Sequence, residues 1–575
     1  MKKIIILISS VLLLAACDFL KVEESSSVYE REDMYKTYSN IQKMLTNIYG
    51  YLPGKDIYDV GSALRDCGCD DAEYADPSAT VQRYNNGNWT AISTLDTKWT
   101  LYNAIRSTWE FLESIETADI SLYQYEAKYP QYLEHMKYYP YEARLLKAYY
   151  FFELARRYGD IPMPMKMLTI EEANSIEKTP FDGVIDYIVS ECDTCIAKLP
   201  ATYTDMLDGE YGRVTKGFAM AVKTKALLYA ASPLFNESGD SQKWLNAAKA
   251  ALDLINSGLY TLDPNLFILD SERMDEDKEK GKENKWYTSK EVIMHLVRST
   301  SQSLEKYNFP LRFTEGERSS MSGSYPTQNL VDAFQTAAGY DIVLTDNGWK
   351  TDDPSFDITK PYEGRDRRFA RSILANGMTF KGSEIETFVG GEDYSATRTD
   401  LGTMTGYYLR KHLQELTSFT PEASTEYRHS WIIYRYSEAL LSYAEAANEY
   451  FHDPDKTDGT LTLSARQALN QIRSKAGMPD VTVKGYDAFK EAVQREWRVE
   501  FAFEDHRFWD IRRWKIGSDT QTRVDGVQIT KTGGKLEYSR TTVENRVWND
   551  KMYLYPIPQS ELFCNSNLLP QNPGW

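Results

Sequence analysis

The feature that most constrains this chain is a set of helical stretches that arrive in pairs, each closed by Gly or Pro and each apolar along one face. Residues 141–158 (YEARLLKAYYFFELARRY) place Leu145, Ala148, Tyr149, Phe152 and Ala155 three and four positions apart, and Gly159-Asp160-Ile161-Pro162 ends the run. Its partner is residues 182–199. A second pair covers 218–231, stopped by Ser232-Pro233, and 243–256, closed by Ser257-Gly258. A third covers 433–450 and 464–476, closed by Gly477-Met478-Pro479, and residues 35–51 and 98–115 make a fourth. Such stretches must bury their apolar faces on one another, so the pattern predicts a mainly α fold.

Hairpins with Ala at the crossing points, Tyr and Leu on the faces and Pro after the stop resemble tetratricopeptide repeats. The intervals between pairs are far longer than the about 34 residues of that repeat, which excludes an uninterrupted array. Helix-poor stretches fill the gaps: 263–288 is charged (SERMDEDKEKGKEN), 315–325 is rich in Ser and Gly, and 341–405 mixes Gly, Asp, Thr and Tyr. Loops of this length in a compact protein are functional or disordered. The expected architecture is a scaffold of tetratricopeptide-like hairpins carrying an irregular, loop-rich ligand-binding face. A single domain is expected over 31–575, with long insertions at about 263–330 and 341–405.

The first residues belong to targeting, not to this fold. Lys2 and Lys3 precede a short apolar run, and Leu14-Ala15-Ala16-Cys17 places small residues directly before a cysteine. The run is shorter than the about 20 residues a spanning helix needs. Residues 1–16 therefore read as a lipoprotein signal peptide, Cys17 as the lipidated residue, and 17–30 as a polar tether.

Charge excludes one class of partner. Against 66 Lys and Arg stand 84 Asp and Glu, a net charge of −18, and the basic residues are not clustered, so no nucleic acid partner is expected. The 41 Tyr and 12 Trp offer flat apolar faces with polar edges, suited to helix interfaces and to stacking on sugar rings. No G-x-S-x-G, Walker, H-E-x-x-H or G-x-G-x-x-G motif occurs. Cys192 and Cys195 lie within a helical pattern and read as core residues, so Cys67, Cys69, Cys192 and Cys195 are not expected to hold zinc, and the pairing of these and Cys564 is open. Asp453, Asp455 and Asp458 precede Gly459 in a calcium-loop-like order. The glycine is one residue late and Ser464 stands where the bidentate Glu belongs, so this reads as an exposed turn. No cofactor is expected, and a structural calcium ion is left open.

Two blocks are distinctive: residues 495–514 (REWRVEFAFEDHRFWDIRRW) and the tail 555–575 (YPIPQSELFCNSNLLPQNPGW). In the first, Trp497, Phe501, Phe508 and Ile511 fit one buried stripe, while Arg495, Glu496, Arg498, Glu500, Glu504 and Arg507 are spaced to pair within the segment. Trp497 and Trp509 are expected to be buried. The tail's Pro556, Pro558, Pro570 and Pro573 predict an extended course across the helical frame.

Together with YEARLLKAYYFFELARRYGDIP, GRVTKGFAMAVKTKALLYAASPL, PTQNLVDAF, GRDRRFARSI, GYYLRK and YRYSEALLSYAEAANE, in that order, these blocks resemble the SusD/RagB family of outer-membrane nutrient-binding lipoproteins. Arg367 departs from a usual proline, and Trp575 from a smaller terminal aromatic. The resemblance implies a non-enzymatic, lipid-anchored protein at the cell surface. It would capture oligosaccharide or polysaccharide and deliver it, as a lid, to a SusC-like TonB-dependent transporter. Its alternatives are a peptide-binding RagB-type subunit and, more remotely, a surface glycoside hydrolase.

No family motif transfers a binding residue, so the ligand face is sought among loop aromatics flanked by polar groups. Trp89, in NNGNWT, is the first choice, with Asp71 and the neighbouring Asp70 and Tyr74. Trp286, Tyr287, Tyr325 and Tyr394 occupy the middle loops, and Arg368 in GRDRRF is placed to bond hydroxyls.

Overall fold

A computed structural model describes residues 34–52, 59–203, 212–264, 289–316, 321–396 and 402–575. The signal peptide, Cys17, the tether, Trp286 and Tyr287 lie outside the described residues.

The long helices are α1 (Tyr38–Tyr49), α2 (Leu101–Ile115), α3 (Tyr139–Tyr158), α4 (Phe181–Lys198), α5 (Lys216–Ala231) and α6 (Ser241–Asn256). They pack in chain order, each on the next. After a long excursion the array resumes with α7 (Tyr436–Phe451), which lies on α6 and α5, and ends with α8 (Ala465–Ala476) and α9 (Tyr486–Glu500) against α7. The four hairpins expected from sequence are therefore present. The last of them is joined to the rest by space and not by chain.

Local chemistry sets the helix ends. Ser464 and Gln467 cap α8 reciprocally, and Gly477 (φ 71°) turns its last residues into the left-handed region that a side chain disfavours. Helix α3 is buried on nearly all sides because α1, α2, α4 and α5 surround it, and its YYFF run fills those contacts. Its charged residues are each matched: Glu142 receives Arg213, and the Lys147 ammonium sits 3.4 Å from the centroid of the Trp109 ring. Burial lowers Lys147 to about 8.

The excursion is less irregular than its composition predicts. It contributes β3 (Ser324–Pro326), which pairs antiparallel with β1 (Ala72–Tyr74) from the chain before α2, the antiparallel pair β2 (Val292–Ser301) with β6 (Tyr427–Arg435), and the hairpin of β4 (Ile342–Thr345) and β5 (Gly348–Thr351). A ten-residue hairpin arm, β7 (Arg523–Thr532) with β8 (Lys535–Asn545), follows the helices.

Three sequence expectations are corrected. The predicted helix 433–450 begins only at Tyr436, because Trp431 to Arg435 pair with β2 and the Tyr436 N–H bonds the Glu291 carbonyl. The 495–514 block is not one helix: α9 stops at Glu500, Phe503 and Asp505 turn through positive φ (61° and 63°), and α10 (Arg507–Arg513) follows. Asp510 and Arg513 pair along α10, and the charges expected to pair within the segment reach across the fold instead. Arg368 bonds Glu496 and Glu500, Arg435 bonds Glu291, Glu500 and Glu504, and Arg498 and Arg507 reach Asp70. Trp497 and Trp509 are buried as expected, in two separate clusters of the core. The tail is extended only in part, since Gln559–Cys564 forms a helical turn after Pro558, a position that needs no N–H donor.

Cys67, Cys69, Cys192 and Cys195 are buried free thiols, and Cys564 is an exposed one. Among the described residues no group of His, Cys, Asp and Glu is arranged to hold a metal. In the calcium-like turn Asp455 pairs with Arg466, and Asp458 accepts the N–H groups of Thr460 and Leu461.

Candidate ligand-binding cleft

Most of the aromatic and polar residues chosen from sequence lie in the interior. Trp89 is 0% exposed, with Tyr84, Tyr555 and Trp575 around it at ring-centroid distances of 4.9, 4.7 and 4.9 Å. It joins the N-terminal loops to the C-terminal tail and presents no face to solvent. Asp71 is buried against Arg498, at 2.7 Å. Asp70 receives Arg507 on both oxygens at 2.8 and 2.9 Å. Burial pushes the Asp70 carboxyl up, but Arg498 and Arg507 outweigh it and hold it at about 2. Tyr74 is buried in β1, and Arg368 is enclosed by Asp366, Glu496 and Glu500. Tyr325 is buried against Tyr408 at 5.5 Å. Tyr394 is half-buried, bridged to Thr403, and away from the cleft described next. A loop in sequence is not the same as a surface in space, and these loops pack onto helices.

The cleft lies one residue from Tyr325. Side chains alternate along β3, so as Tyr325 turns inward Ser324 faces a hollow of about 750 Å³. That volume is within the range of ligand sites, roughly 300–1,000 Å³. One wall is a tight hairpin whose turn is Gly61-Ser62, and a second is the segment carrying Thr80, Asp96 and Lys98. The third is made by the first insertion: Ser299 and Ser301 of β2, then Ser303, Tyr307 and Asn308 of the short helix Ser303–Asn308. His429 and Trp431 of β6 close it. Pairing of β2 with β6 slips between Arg428 and Ser430, next to Ser299 and His429, and such bulges re-aim side chains.

The lining combines an aromatic platform with hydroxyls. Tyr307 is 38% exposed, while Trp431 is seated by His412 at 4.8 Å. Asn308 is fixed on both sides: its Oδ1 accepts from the Ser324 N–H at 2.8 Å and its Nδ2 donates to the Leu304 carbonyl at 2.9 Å. His429 Nε2 is 3.0 Å from Glu305, which is buried beneath it. Asp96 is the carboxylate among the lining residues. Burial pushes it up, yet Arg157, Arg65 and Lys98 together hold it well below the usual carboxylate range.

Two other hollows are less suited to a sugar. One of about 1000 Å³ over α8 is lined by Arg466, Gln467, Asn470 and Gln471 and has no aromatic wall. Another of about 300 Å³ between α2 and the tail has Trp99, Tyr102 and Trp109. Its surroundings include Ile170 and Phe563, 77% and 82% exposed, a composition closer to a protein contact.

The sequence reading missed Lys98, Tyr307, His429 and Trp431. Tyr307 and its hydroxylic neighbours lie within the insertion singled out at 263–330, and that signal was usable. Trp431 was hidden by the helix expected immediately after it.

Comparison with known proteins agrees with the architecture. Residues 290–575 match the profile of the SusD family. The chain belongs to the SusD family. SusD-like protein P2 of Formosa agariphila is 26% identical over 443 residues, 76% of this chain and 73% of that one. SusD-like protein P25 of the same organism is 22% identical over 584 residues, 96% and 95% of the two chains. A SusD-like protein from Bacteroides fragilis superposes with a TM-score of 0.73 at 25% identity, covering 94% of this chain and 98% of that one. A SusD-like carbohydrate binding protein from the same species gives 0.71 at 24% identity, over 93% and 100%. A laminarin binding SusD-like protein shares the fold at 0.57 and 19% identity, over 94% and 100%. The mainly helical, tetratricopeptide-like scaffold expected from sequence is therefore the SusD fold.

Proposed function

We propose that this SusD-family protein is a non-catalytic glycan-binding subunit that captures oligosaccharide or polysaccharide in the cleft around Tyr307. The observation that carries this reading is the composition of the cleft. It joins a half-open aromatic ring to a row of hydroxyls and a fixed amide, and these are the groups that stack on a sugar and orient its hydroxyls. The laminarin and carbohydrate binding of two fold neighbours supports the same class of ligand. Capture without cleavage fits the carboxyl chemistry. Glycoside hydrolysis uses two carboxyl groups flanking the bond, whereas Asp96 is held by three cations and Glu305 is fully buried.

The same reading makes the protein a lid on a SusC-like TonB-dependent transporter, anchored in the outer membrane by lipid on Cys17 and facing the cell surface. The lipobox supports the anchor. Among the described residues no helix is long and apolar enough to cross a membrane. Exposed Ile170, Phe563 and Leu569 beside the α2 groove supply an apolar surface of the kind a protein partner covers.

Affinity electrophoresis against a polysaccharide panel, followed by calorimetry on the best ligand, tests the proposal. Tyr307→Ala should weaken binding by about threefold to tenfold, the worth of one aromatic contact of about 0.5–1.5 kcal/mol, with melting unchanged. Retention of no glycan, or wild-type affinity in the variant, overturns the assignment of this cleft. Cleavage of the ligand overturns the non-catalytic reading.

A further inference from the structure

We propose that the cleft reads a pair of free hydroxyls on neighbouring ring carbons of a neutral glycan, with Asp96 accepting from one and Lys98 donating to the other, and so selects against 1,3-linked chains. This rests on the cleft being the glycan site. Much of its polar lining imposes little, because hydroxyls such as those of Ser62, Thr80 and Ser299 can turn to donate or to accept. Asp96 and Lys98 differ: an ionised carboxylate only accepts and an ammonium only donates. They line the cleft together, with their charged atoms 3.3 Å apart.

Both groups are held in place and neither is fully spent. Oδ2 of Asp96 receives Arg65 at 2.9 Å and Arg157 at 2.8 Å, while Lys98 meets Oδ1. A carboxylate oxygen has two acceptor sites and an ammonium three donors, so Oδ1 and Lys98 each keep capacity after meeting one another. Their separation exceeds the about 2.7–2.9 Å of a tight charge-assisted bond, so a ligand beside the pair displaces no strong contact. The Lys98 side chain is 26% exposed and that of Asp96 4%, one open donor and one recessed acceptor. A carboxylate next to an ammonium gives this wall two hydrogen-bonding roles in place of a charge of one sign, which suits an uncharged ligand.

The backbone keeps the pair fixed. Asp96 (φ 39°) and Lys98 (φ 48°) are non-glycine residues in the left-handed region, and such conformations persist where surrounding contacts over-determine them, as at ligand sites. Helix α3 supplies those contacts. Arg157 Nε donates to the Asp96 carbonyl at 3.1 Å, the Tyr158 hydroxyl donates to the Thr97 carbonyl at 2.8 Å, and the Trp99 ring meets the Tyr158 ring at 5.2 Å. A donor and an acceptor fixed in advance lose little freedom on binding.

Sugar chemistry supplies the match. Gauche hydroxyls on neighbouring pyranose carbons stand about as far apart as these two groups, so one O–H can face Asp96 while the other oxygen receives Lys98. Internal residues of 1,4-linked and 1,6-linked hexopyranose chains keep such a pair free. In a 1,3-linked chain the glycosidic bond consumes the central hydroxyl, and the two left on the ring are no longer neighbours.

Calorimetry with neutral polysaccharides, long enough that chain ends contribute little, tests this: a 1,4-linked glucan, a 1,4-linked mannan, a 1,6-linked glucan and a 1,3-linked glucan, each titrated into wild type and Lys98→Met. An isolated hydroxyl can still meet Lys98 or Asp96 alone, so the preference reports the second bond of the pair. One charge-assisted hydrogen bond corresponds to roughly tenfold to a hundredfold in affinity. Wild type should therefore bind at least one of the first three tighter than the 1,3-linked glucan by that margin. Lys98→Met should weaken that binding and remove the preference, with melting curves confirming that the variant folds. Equal or tighter binding of the 1,3-linked glucan by wild type overturns the proposal and leaves the glycan site standing. A preference that survives in Lys98→Met also overturns it. Binding of none of the four overturns both the proposal and the reading beneath it.

Discussion

Replacing Trp89 separates a core residue from a binding residue, and the structure sets the size of the effect. The indole is fully buried, and its edges or faces meet Tyr84, Tyr555 and Trp575 within 5 Å of centroid separation. Truncating a buried Trp to Ala costs about 3–5 kcal/mol through lost transfer energy and the cavity left behind. Three ring contacts place Trp89→Ala at the upper end, about 5 kcal/mol, because the terminal Trp575 loses part of its own seat. Trp89→Phe discriminates further. The indole Nε1 has no hydrogen-bond partner among the described residues, so the phenyl ring forfeits no bond and leaves a smaller cavity. Its cost should be about 1–2 kcal/mol. Urea unfolding followed by circular dichroism gives both values, and calorimetry at low temperature should show glycan affinity unchanged in either variant. Wild-type stability of Trp89→Ala together with weakened glycan binding would refute the burial argument and return Trp89 to the ligand face.

Two further outcomes are expected. The carboxyl groups of Glu504 and Asp70 are raised by burial but brought down to about 2 by Arg435 and Lys411 in one case and by Arg498 and Arg507 in the other. A depressed carboxylate stabilises the fold above its unfolded pKa and loses that contribution as pH falls through the folded value. Melting temperature should thus hold from neutral pH to about 4.5 and drop steeply toward about 2. Asp66, whose carboxyl is raised by burial, works in the opposite sense and shallows the drop. A flat profile down to about pH 3 would show that these ion pairs do not stabilise the fold. Cys17→Ala should release the protein from the outer membrane, read by fractionation in cells lacking the transporter, and continued membrane association there would rule out lipid anchoring.

The helical frame was legible because its periodicity is local. Leu145, Ala148, Tyr149, Phe152 and Ala155 declare a helix face within one stretch, and Gly159 and Pro162 declare its end. Boundaries failed where a tertiary contact decided them. Residues 433–435 have apolar and aromatic spacing that continues the helix smoothly on paper, yet the strand β2, more than a hundred positions earlier in the chain, claims them. Likewise Arg498, Glu500 and Glu504 have intrahelical spacing, but Asp70, Arg435 and Lys411 offer buried partners in which a charge-assisted bond is worth more than an exposed pair along a helix.

The ligand face was harder to read for a reason that follows from the same physics. An aromatic in a loop has the same local signature whether the loop stands in solvent or lies on a helix, and only the packing partner distinguishes them. Trp89 has such a partner in Tyr555 and Trp575, which arrive from the far end of the chain, and Tyr325 has one in Tyr408. Tyr307 stays 38% exposed in the cleft lining, next to Asn308, whose side chain fixes Ser324. The proposed binding platform is thus a ring that stays partly exposed. Residues near it in space, Lys98 and Trp431, come from segments separated by more than three hundred positions, joined by the insertion that interrupts the helical array. The interruption that rules out a continuous repeat is thus what builds the cleft.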